Sequence, residues 1–366
     1  MYLERLSLVN FKNYAEANLG FSEGINCFVG NNGMGKTNVL DAIHYLSFCK
    51  GFYNPLDSHH IMHGESIFVI QGSFQLNGKQ EQIYCGVQKG RKKQFKRNKK
   101  EYPRLADHIG LLPAVIISPE DHDLIAGGGE VRRRFLDTII SQLDKGYLDA
   151  LIAYNKLMVQ RNTLLKQFAE RNSFDKDALE VYNDQLVTHG TKIHKRRSEL
   201  IEDFIPEFQR YYTYISGGSE EVTIDYRSQL NDNDFSLLLG EAMIKDRMVQ
   251  YTTVGIHKDD LVLKIGGHPV KKFGSQGQQK SVVVALKLGQ FDFIKAAKDF
   301  MPLLLLDDIF DRLDPGRVEK LMQLVSDHNF GQIFVTHTHR ERLERILGNI
   351  DVEHRFFEVS NGTITS

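Results

Sequence analysis

The sequence predicts an α/β fold in which a domain of strands and helices is divided by a helical insertion, and three observations lead to this prediction. The short apolar run of residues 24–30 leads into a glycine-rich loop and then into an amphipathic helix. Residues 131–214 contain little glycine and follow helical periodicity. The apolar run 303–306 ends in two aspartates, which is typical of a buried strand that ends at a functional site.

The N-terminal part of the chain has the pattern of a β-rich lobe. Residues 3–9 alternate apolar and polar side chains, and short runs of strand character recur between residues 66 and 117. The turn at residues 76–79 reads Leu-Asn-Gly-Lys, and Asn-Gly is the signature of a tight β-hairpin. We expect residues 1–118 to form the N-terminal lobe.

The middle of the chain predicts a subdomain of a few helices over residues 119–245. The polar stretch 170–175 is suited to joining two antiparallel helices, and the segment is too short for an extended coiled-coil arm. Strand character returns after residue 219. A hairpin near Gly266-Gly267, a helix from Ser281 and a second buried strand at 332–336 complete a predicted C-terminal lobe of residues 246–366.

Composition restricts the class of protein without identifying it. The 366 residues are 41% hydrophobic and 25% charged, which is ordinary for a soluble globular protein. No apolar run approaches the roughly 20 residues of a membrane span, and the first residues lack a signal-peptide pattern, so we expect a cytoplasmic protein without a membrane partner. A net charge of −1 means that any affinity for nucleic acid has to come from local basic patches. The three cysteines, Cys27, Cys49 and Cys85, are expected to be buried apolar residues.

Residues 30–37 read Gly-Asn-Asn-Gly-Met-Gly-Lys-Thr, the G-x4-G-K-[ST] pattern of a phosphate-binding loop between a strand and a helix. The glycines allow backbone N–H groups to approach phosphate oxygens, and the helix N-terminus favours negative charge. The lysine supplies a positive charge to the β- and γ-phosphates, and the threonine hydroxyl can ligate Mg²⁺. The alternative is a glycine-rich turn with a chance lysine. The residues predicted to bind ATP here are Gly30, Asn31, Asn32, Gly33, Met34, Gly35, Lys36, Thr37 and Asn38.

The two aspartates after residue 306 supply the acids that a nucleotide-hydrolysing site needs. Asp307 is predicted to hold Mg²⁺ through water, and Asp308 to polarise the attacking water. The alternative is a core strand whose terminal acids cap the next helix. Lys36 and Asp307 lie 271 positions apart, which a compact nucleotide-binding domain does not require. A split ATPase head with an insertion explains this separation.

A third element, residues 273–280, opens a helix with Ser275, and resembles the signature of ABC-type ATPases. In those proteins this element contacts the γ-phosphate bound by the opposite subunit. The alternative is a helix that Ser275 merely caps. Downstream, residues 310–314 resemble the D-loop and Thr336-His337 the switch histidine. The site residues that this resemblance implies are Ser275, Gln276, Gly277, Gln278, Asp314 and His337.

Taken together, these motifs resemble the RecF family of SMC-like ABC ATPases, which act in bacterial recombinational repair. The resemblance covers nearly the whole chain, through residues 8–14, 30–43, 118–121, 132–137, 182–186, 255–261, 275–279 and 307–308. Two departures stand out. Ile256 occupies an expected proline position, and residues 311–314 read Asp-Arg-Leu-Asp in place of Ser-Glu-Leu-Asp, which weakens the cross-subunit role of that segment.

The resemblance implies a fold and a mode of action. It implies an ABC/SMC-type P-loop ATPase head split by a helical insertion, with ATP and Mg²⁺ as cofactors and Lys36, Asp308 and His337 as catalytic residues. It also implies a homodimer that ATP closes on duplex or gapped DNA, with slow DNA-dependent hydrolysis to reopen it. RecO and RecR are the implied partners in loading RecA at single-stranded gaps.

The predicted DNA-binding residues lie in basic runs. Eight of the twelve residues 89–100 are Lys or Arg, with Phe95 among them, and such a patch can contact phosphates without reading sequence. A solvated hairpin tip is the equal alternative. The candidates are Lys89, Arg91, Lys92, Lys93, Lys96, Arg97, Arg132 and Arg133. The basic group 192–197 is better explained as a solvated helix face, and His59, His60 and His63 as surface or loop histidines.

Two other functions remain open at this point. A transporter-type ATPase would couple ATP to a membrane partner, but it predicts a compact nucleotide-binding domain without the helical insertion. A non-enzymatic scaffold would carry a vestigial ATP site, and the intact Lys36 and Asp308 argue against it. Mutation of those two residues separates an ATPase from a scaffold, because a scaffold has no activity to lose.

Overall fold

The computed structural model describes residues 1–218, 220–309, 315–326, 330–348 and 352–366. The chain forms two compact units. The described residues of 1–121, 211–218 and 280–366 form the first, here called the head unit. Those of 122–210 and 219–279 form the second, here called the insertion unit. The expected interruption of an α/β head by an insertion is confirmed, whereas the three-segment division at residues 118 and 245 stays a prediction.

The elements are numbered in chain order. The strands are β1 (Tyr2–Phe11), β2 (Tyr14–Gly20), β3 (Ile25–Val29), β4 (Ile67–Leu76), β5 (Lys79–Gln88), β6 (Gln94–Arg97), β7 (Lys100–Glu101), β8 (Ala114–Ile117), β9 (Val222–Arg227), β10 (Asp260–Ile265), β11 (His268–Pro269), β12 (Leu303–Asp307), β13 (Ile333–His337), β14 (His354–Ser360) and β15 (Thr363–Thr365). The helices are α1 (Lys36–Phe48), α2 (Asp123–Ala126), α3 (Gly129–Leu143), α4 (Lys145–Glu170), α5 (Lys176–Ser216), α6 (Phe235–Val249), α7 (Val270–Phe273), α8 (Gln276–Ala297), α9 (Pro315–Ser326) and α10 (Arg340–Leu347). Short 3₁₀ turns lie at Asp57–His60, Leu105–Asp107, Pro119–His122 and Ile256–Lys258.

The head unit contains an antiparallel sheet of order β2-β1-β4-β5-β6-β7. Alternation in β1 and β4 buries one face of this sheet and leaves polar side chains on the other. The predicted hairpin at residues 76–79 is confirmed. Asn77 and Gly78 both have positive φ angles, 49° and 73°, as a two-residue turn between right-twisted strands requires.

A second sheet of the head unit has the order β15-β14-β3-β13-β12-β8. Strands β14, β3, β13, β12 and β8 run parallel, and β15 is antiparallel to β14. Strands β3, β12 and β13 are buried along their whole length, which explains why their sequences are largely apolar rather than alternating. Because the strands are parallel, the segments that follow β3, β8, β12 and β13 meet at one edge of the sheet.

Helix α1 connects the two sheets of the head unit. It contacts β4 and β5 of the antiparallel sheet and β8, β12 and β13 of the parallel sheet. Nearly every side chain of α1 from Val39 onward is buried, so this helix lies in the middle of the core rather than on its surface. One apolar cluster therefore joins the following buried residues: Leu6, Leu8, Phe28, Val39, Ile43, Phe68, Ile70 and Leu305.

The insertion unit contains α3, α4, α6 and most of α5, with a three-stranded sheet of order β11-β10-β9. The side chain of Asp144 caps α4 by accepting from Tyr147 N at 2.9 Å, and that of Asp234 caps α6 through Leu237 N at 3.0 Å. The predicted joint at 170–175 is confirmed, since α4 ends at Glu170 and α5 begins at Lys176.

Some sequence expectations about the fold are wrong. The helix expected from Ser281 begins earlier, at Gln276, in agreement with the expectation that residues 273–280 open a helix. His60 is not a surface histidine. Its side chain is fully buried, stacks on Phe11, and places Nδ1 3.6 Å from an Asp41 carboxylate oxygen. The three cysteines are buried, as expected. Over the part of the chain that the structure describes, no helix is both long and apolar enough to cross a bilayer.

Candidate nucleotide site

The loop between β3 and α1 has the backbone that a phosphate-binding loop needs. Gly30, Gly33 and Gly35 have φ angles of 151°, 80° and 115°, which side-chain-bearing residues rarely adopt. A Cβ on Gly30 would lie 2.2 Å from the carbonyl oxygen of Val359. A Cβ on Gly35 would lie 2.4 Å from Asn13 Nδ2. The glycines are therefore required by the fold of the loop, and successive amides of such a loop make an anion-binding nest.

Lys36 folds back across this loop. Its ammonium donates to the carbonyl oxygens of Gly30 at 2.6 Å and of Asn31 at 2.9 Å. Burial lowers the pKa of Lys36 below its ordinary value and outweighs the opposing effect of the Asp308 and Asp307 charges. The lysine therefore lies beside the loop and near Asp307 and Asp308, where a phosphate group would find a positive charge.

Thr37 and Asp307 meet directly, although they are 270 positions apart. Thr37 Oγ1 donates to the two carboxylate oxygens of Asp307 at 3.0 and 3.1 Å. Thr336 Oγ1 donates to Asp307 Oδ1 at 2.7 Å, and the Tyr53 hydroxyl to Oδ2 at 2.6 Å. A hydroxyl and a carboxylate in contact are the oxygen donors that Mg²⁺ prefers. The residues present therefore fit both a nucleotide phosphate and its magnesium ion.

Two side chains provide the remaining chemistry at this edge of the sheet. Asp308 has a φ of 49°, a left-handed conformation that is uncommon outside glycine, and its backbone N–H donates to Thr336 Oγ1 at 3.0 Å. His337 ends β13, is fully buried, and has Nδ1 3.9 Å from Asp308 Oδ1. Two of the three predicted catalytic residues, Asp308 and His337, therefore lie at the ends of neighbouring parallel strands next to Asp307.

Several residues of this site carry no motif signal. Asn13 Nδ2 donates to Met34 O at 2.9 Å, and the Tyr14 hydroxyl to Gly35 O at 3.0 Å, so both brace the loop. Tyr53 and Thr336 hold Asp307. Burial raises the pKa of Tyr53 well above its ordinary value, with the Asp307 charge adding to the effect, so its hydroxyl stays a donor. Asn13, Tyr14 and Thr336 could be noticed in the sequence only because they lie in segments that carry the family resemblance. Nothing in the sequence pointed to Tyr53.

The signature-like segment belongs to the start of α8. Ser275 Oγ accepts from Gln278 N at 3.2 Å, and Gln278 Oε1 accepts from Ser275 N at 2.6 Å, which together form a capping box. Gln278 Nε2 also donates to Glu220. The alternative that Ser275 caps a helix thus describes the geometry of the single chain, and its γ-phosphate role stays a prediction. Residues 310–314, including Asp314, lie outside the described residues.

The predicted DNA-binding residues differ in their surroundings. Lys93 donates to Tyr45, Cys49 and Asp57, and Arg97 forms a two-pronged pair with Glu81. Arg132 makes a similar pair with Asp260, and Arg133 donates to Asp259 O at 2.7 Å. Phe95 is buried and packs against His108. Lys89, Arg91 and Lys92 are exposed, and Lys96 Nζ lies 5.3 Å above the Tyr84 ring.

Comparisons with known proteins agree with this geometry. The family model described as RecF/RecN/SMC N terminal domain matches residues 2–364. The DNA replication and repair protein RecF of Phocaeicola vulgatus is 50% identical over 367 residues, covering 100% of this chain and 98% of the relative. The RecF of Flavobacterium johnsoniae is 50% identical over 359 residues, covering 98% of this chain and all of the relative.

Solved structures give the same result. The structure described as the recombination mediator protein RecF-ATP in the RecFOR pathway has a TM-score of 0.90 and 29% identity, and the match covers 100% of this chain and 97% of that one. The Smc head domain of Pyrococcus furiosus has a TM-score of 0.58 at 18% identity, which supports the fold alone.

The fold and the site together define an ABC/SMC-type P-loop ATPase head with a helical insertion. Within that class, the chain belongs to the RecF family.

Proposed function

We propose that this chain is a DNA-binding ATPase of DNA replication and recombinational repair. The observation that carries the proposal is the meeting of Lys36, Thr37 and Asp307 at one sheet edge, from segments that are far apart in sequence. The curated relatives with RecF in their names support the biological setting. The ATP-bound RecF neighbour supports ATP as the nucleotide.

In this proposal, the residues of the head unit have separate tasks. The loop amides and Lys36 bind the phosphates, and Thr37 with Asp307 holds Mg²⁺, which when bound offsets phosphate charge. Asp308 orients and polarises the attacking water, and the His337 side chain lies next to Asp308. ATPase assays on Lys36→Arg and Asp308→Asn test these roles. Activity that survives both substitutions would rule out this site.

The switch mechanism places a second copy of the chain against the bound ATP. Ser275 and Gln276 are exposed at the start of α8, and the preceding Phe273 is 68% exposed, which suits a contact between copies. Ser275 and Gly277 of one copy would then face the γ-phosphate held by Lys36 of the other. The specific ATPase activity should rise with protein concentration, and Ser275→Arg should abolish that rise. A specific activity that is flat across the dimerisation range contradicts the composite site.

DNA binding is supported by a groove on the outer face of the antiparallel sheet. The groove has a volume of about 710 Å³, and of the described residues that line it three are basic, Arg5, Lys96 and Lys99, and none is acidic. Strand register aligns Lys96 with the outward-facing Tyr84. Acids do lie beside the groove, since Glu4 is 4.0 Å from Arg5 and Glu101 pairs in register with Lys96.

We propose that DNA phosphates contact this groove and the exposed turn between β5 and β6, rather than Lys93, Arg97, Arg132 or Arg133. Each of those four cations is already bound to carboxylates or carbonyls. The triple variant Arg5→Glu, Lys96→Glu, Lys99→Glu should weaken DNA binding and reduce its salt dependence. The triple variant Lys166→Glu, Arg171→Glu, Lys176→Glu, at exposed positions of the insertion unit, is the control with the same change in net charge. Equal losses in both variants would exclude the groove.

The nucleotide dependence of DNA binding is the test of the switch as a whole. Fluorescence anisotropy with ATP, ADP or no nucleotide should give the tightest binding with ATP, on duplex or gapped DNA. If ATP leaves affinity unchanged on duplex, gapped and single-stranded DNA, this chain is not an ATP-driven clamp. A slow, DNA-stimulated turnover should appear in the same preparations.

The setting of the RecF-ATP neighbour, the RecFOR pathway, supports a place for this chain beside RecO and RecR. We propose that it acts with them in the cytoplasm to load RecA at single-stranded gaps. Binding assays with purified RecR and RecO of Phocaeicola vulgatus, whose RecF is 50% identical, test this extension. No complex with either protein, in the presence of ATP and gapped DNA, would remove these partners from the proposal.

A further inference from the structure

Tyr53 reaches the acid of the nucleotide site from a segment that carries no recognised motif. It follows α1, and its hydroxyl donates to Asp307 Oδ2 at 2.6 Å. Thr336 donates to the other carboxylate oxygen at 2.7 Å, and Thr37 to both. Asp307 is only 4% exposed, so these three hydroxyls make up most of its polar surroundings among the described residues.

The segment around Tyr53 is itself fixed to the core. The backbone N–H of Phe52 donates to Asp41 Oδ1 at 2.6 Å, and Asp41 is a fully buried residue of α1. Lys12 Nζ lies 2.5 Å from Asp41 Oδ2 and 5.8 Å above the Tyr53 ring. The position of the Tyr53 hydroxyl is therefore set by the turn between β1 and β2, which holds Lys12, and by α1; the same turn and helix also flank and brace the phosphate loop.

A carboxylate needs such support to act as a metal-site residue. The last side-chain torsion of aspartate is broad and intrinsically two-fold, so an unsupported carboxylate plane rotates. Donors on both oxygens fix that plane, and loss of partners of this kind typically lowers metal affinity by about 10- to 100-fold. Besides the Thr37 hydroxyl at the proposed metal site, Thr336 on Oδ1 and Tyr53 on Oδ2 fix the carboxylate plane of Asp307 from both sides.

We propose that Tyr53 is a positioning residue that orients Asp307 toward the magnesium ion beside Thr37. This inference rests on the proposed ATP function of the head unit. Tyr53 does not contact the metal or the nucleotide in this role. It acts through the carboxylate, so its loss should weaken the response to Mg²⁺ and leave the binding of metal-free nucleotide intact.

The test is a Mg²⁺ titration of fluorescent ATP-analogue binding on the full chain. Tyr53→Phe keeps the ring and removes the donor. It should raise the Mg²⁺ concentration for half-maximal effect about tenfold. Its affinity for the analogue in EDTA should match that of the wild type. Tyr102→Phe is the matched control, because its hydroxyl lies 3.1 Å from His108 Nδ1 in the same unit and away from Asp307.

Two further variants keep the result decisive. Tyr53→p-aminophenylalanine retains a donor at the same place and should stay within about twofold of the wild type. If Tyr53→Phe does not fold, the p-aminophenylalanine variant still tests the proposal. A tenfold shift of the Mg²⁺ titration despite the retained donor would then overturn it. Asp307→Asn reports on the proposed function, since it should lose most of the Mg²⁺ response.

The outcomes separate the two ideas. If Asp307→Asn shifts the titration and Tyr53→Phe follows the wild-type curve, Tyr53 has no positioning role while the metal site stands. If Asp307→Asn also follows the wild-type curve, the metal site itself is wrong and the role of Tyr53 falls with it. A shift in Tyr102→Phe equal to that in Tyr53→Phe would reduce the effect to general loss of packing.

Discussion

Replacement of Arg161 by methionine removes the guanidinium that pairs with Asp246 inside the insertion unit. Both side chains are completely buried. Arg161 Nη1 donates to Asp246 at 2.7 Å and to Thr252 Oγ1 at 2.8 Å, and Nε donates to Asn183 at 2.8 Å. The substitution would leave a buried carboxylate without its positive partner, which costs about 3–5 kcal/mol.

Removal of both charges should cost less than removal of one. Arg161 Nη2 is buried without a hydrogen-bond partner among the described residues, so the pair does not recover its full desolvation cost. We therefore expect Arg161→Met with Asp246→Leu to regain at least half of the stability that Arg161→Met loses. Arg134→Met, which breaks an exposed pair with Glu130, is the control and should change stability little.

Urea denaturation followed by circular dichroism measures these differences, and hydrogen–deuterium exchange of α4 and α6 places them in the insertion unit. ATP affinity should not change, because both pairs, Arg161 with Asp246 and Arg134 with Glu130, belong to the insertion unit rather than to the head unit. A loss below about 1 kcal/mol for Arg161→Met would refute the reasoning. So would a double variant no more stable than the single one.

Three further predictions concern the head unit. Gly30→Ala should abolish ATP-analogue binding, because its Cβ would lie 2.2 Å from a backbone carbonyl. Gly33→Ala meets no atom within 4 Å, so it should cost only the strain of an alanine in a left-handed conformation, about 1–2 kcal/mol. Equal losses in equilibrium binding would contradict this distinction. Burial lowers the pKa of His108 to about 4. The unfolded chain therefore binds the extra proton first, and the contribution of His108 to stability should fall by up to about 3 kcal/mol as pH drops from 6.5 to 4. His108→Gln should flatten that part of the pH–stability curve, and an unchanged slope would exclude His108 as its source. Lys93→Met should lower thermal stability and leave the salt dependence of DNA binding unchanged, whereas a reduced salt slope would return Lys93 to the DNA surface.

The parts of the site that the sequence predicts are those with a local physical cause. Positive φ angles at Gly30 and Gly35 require glycine, and a strand buried on both faces requires the continuous apolar run before Asp307. The direct contact between Thr37 and Asp307 follows from parallel strands whose ends share an edge. The loop and the strand are visible in the sequence because each is encoded within a few residues, and the contact between them follows from the shared edge.

The parts that sequence reasoning missed depend on contacts between distant segments. Tyr53 is 254 positions from Asp307, and no spacing rule connects them. Arg132 belongs to a basic triplet, yet its partner Asp260 lies 128 positions away and removes it from the predicted DNA surface. Helix α6 overlaps the predicted helical segment 119–245, but the strand character expected after residue 219 gave no specific signal for it, and its packing depends on α4. Local charge and periodicity do not contain this information.

The order of strands in the parallel sheet has a consequence for how the protein is made. Strand β3, which leads into the phosphate loop, lies between β13 and β14, and both of these come from the last part of the chain. At bacterial synthesis rates, the ribosome needs on the order of tens of seconds after β3 to produce them. A nascent chain therefore carries the complete loop sequence long before it has a nucleotide site. We expect nucleotide affinity to arise only after β13 and β14 have left the ribosome, in a late and slow step set by these long-range pairings.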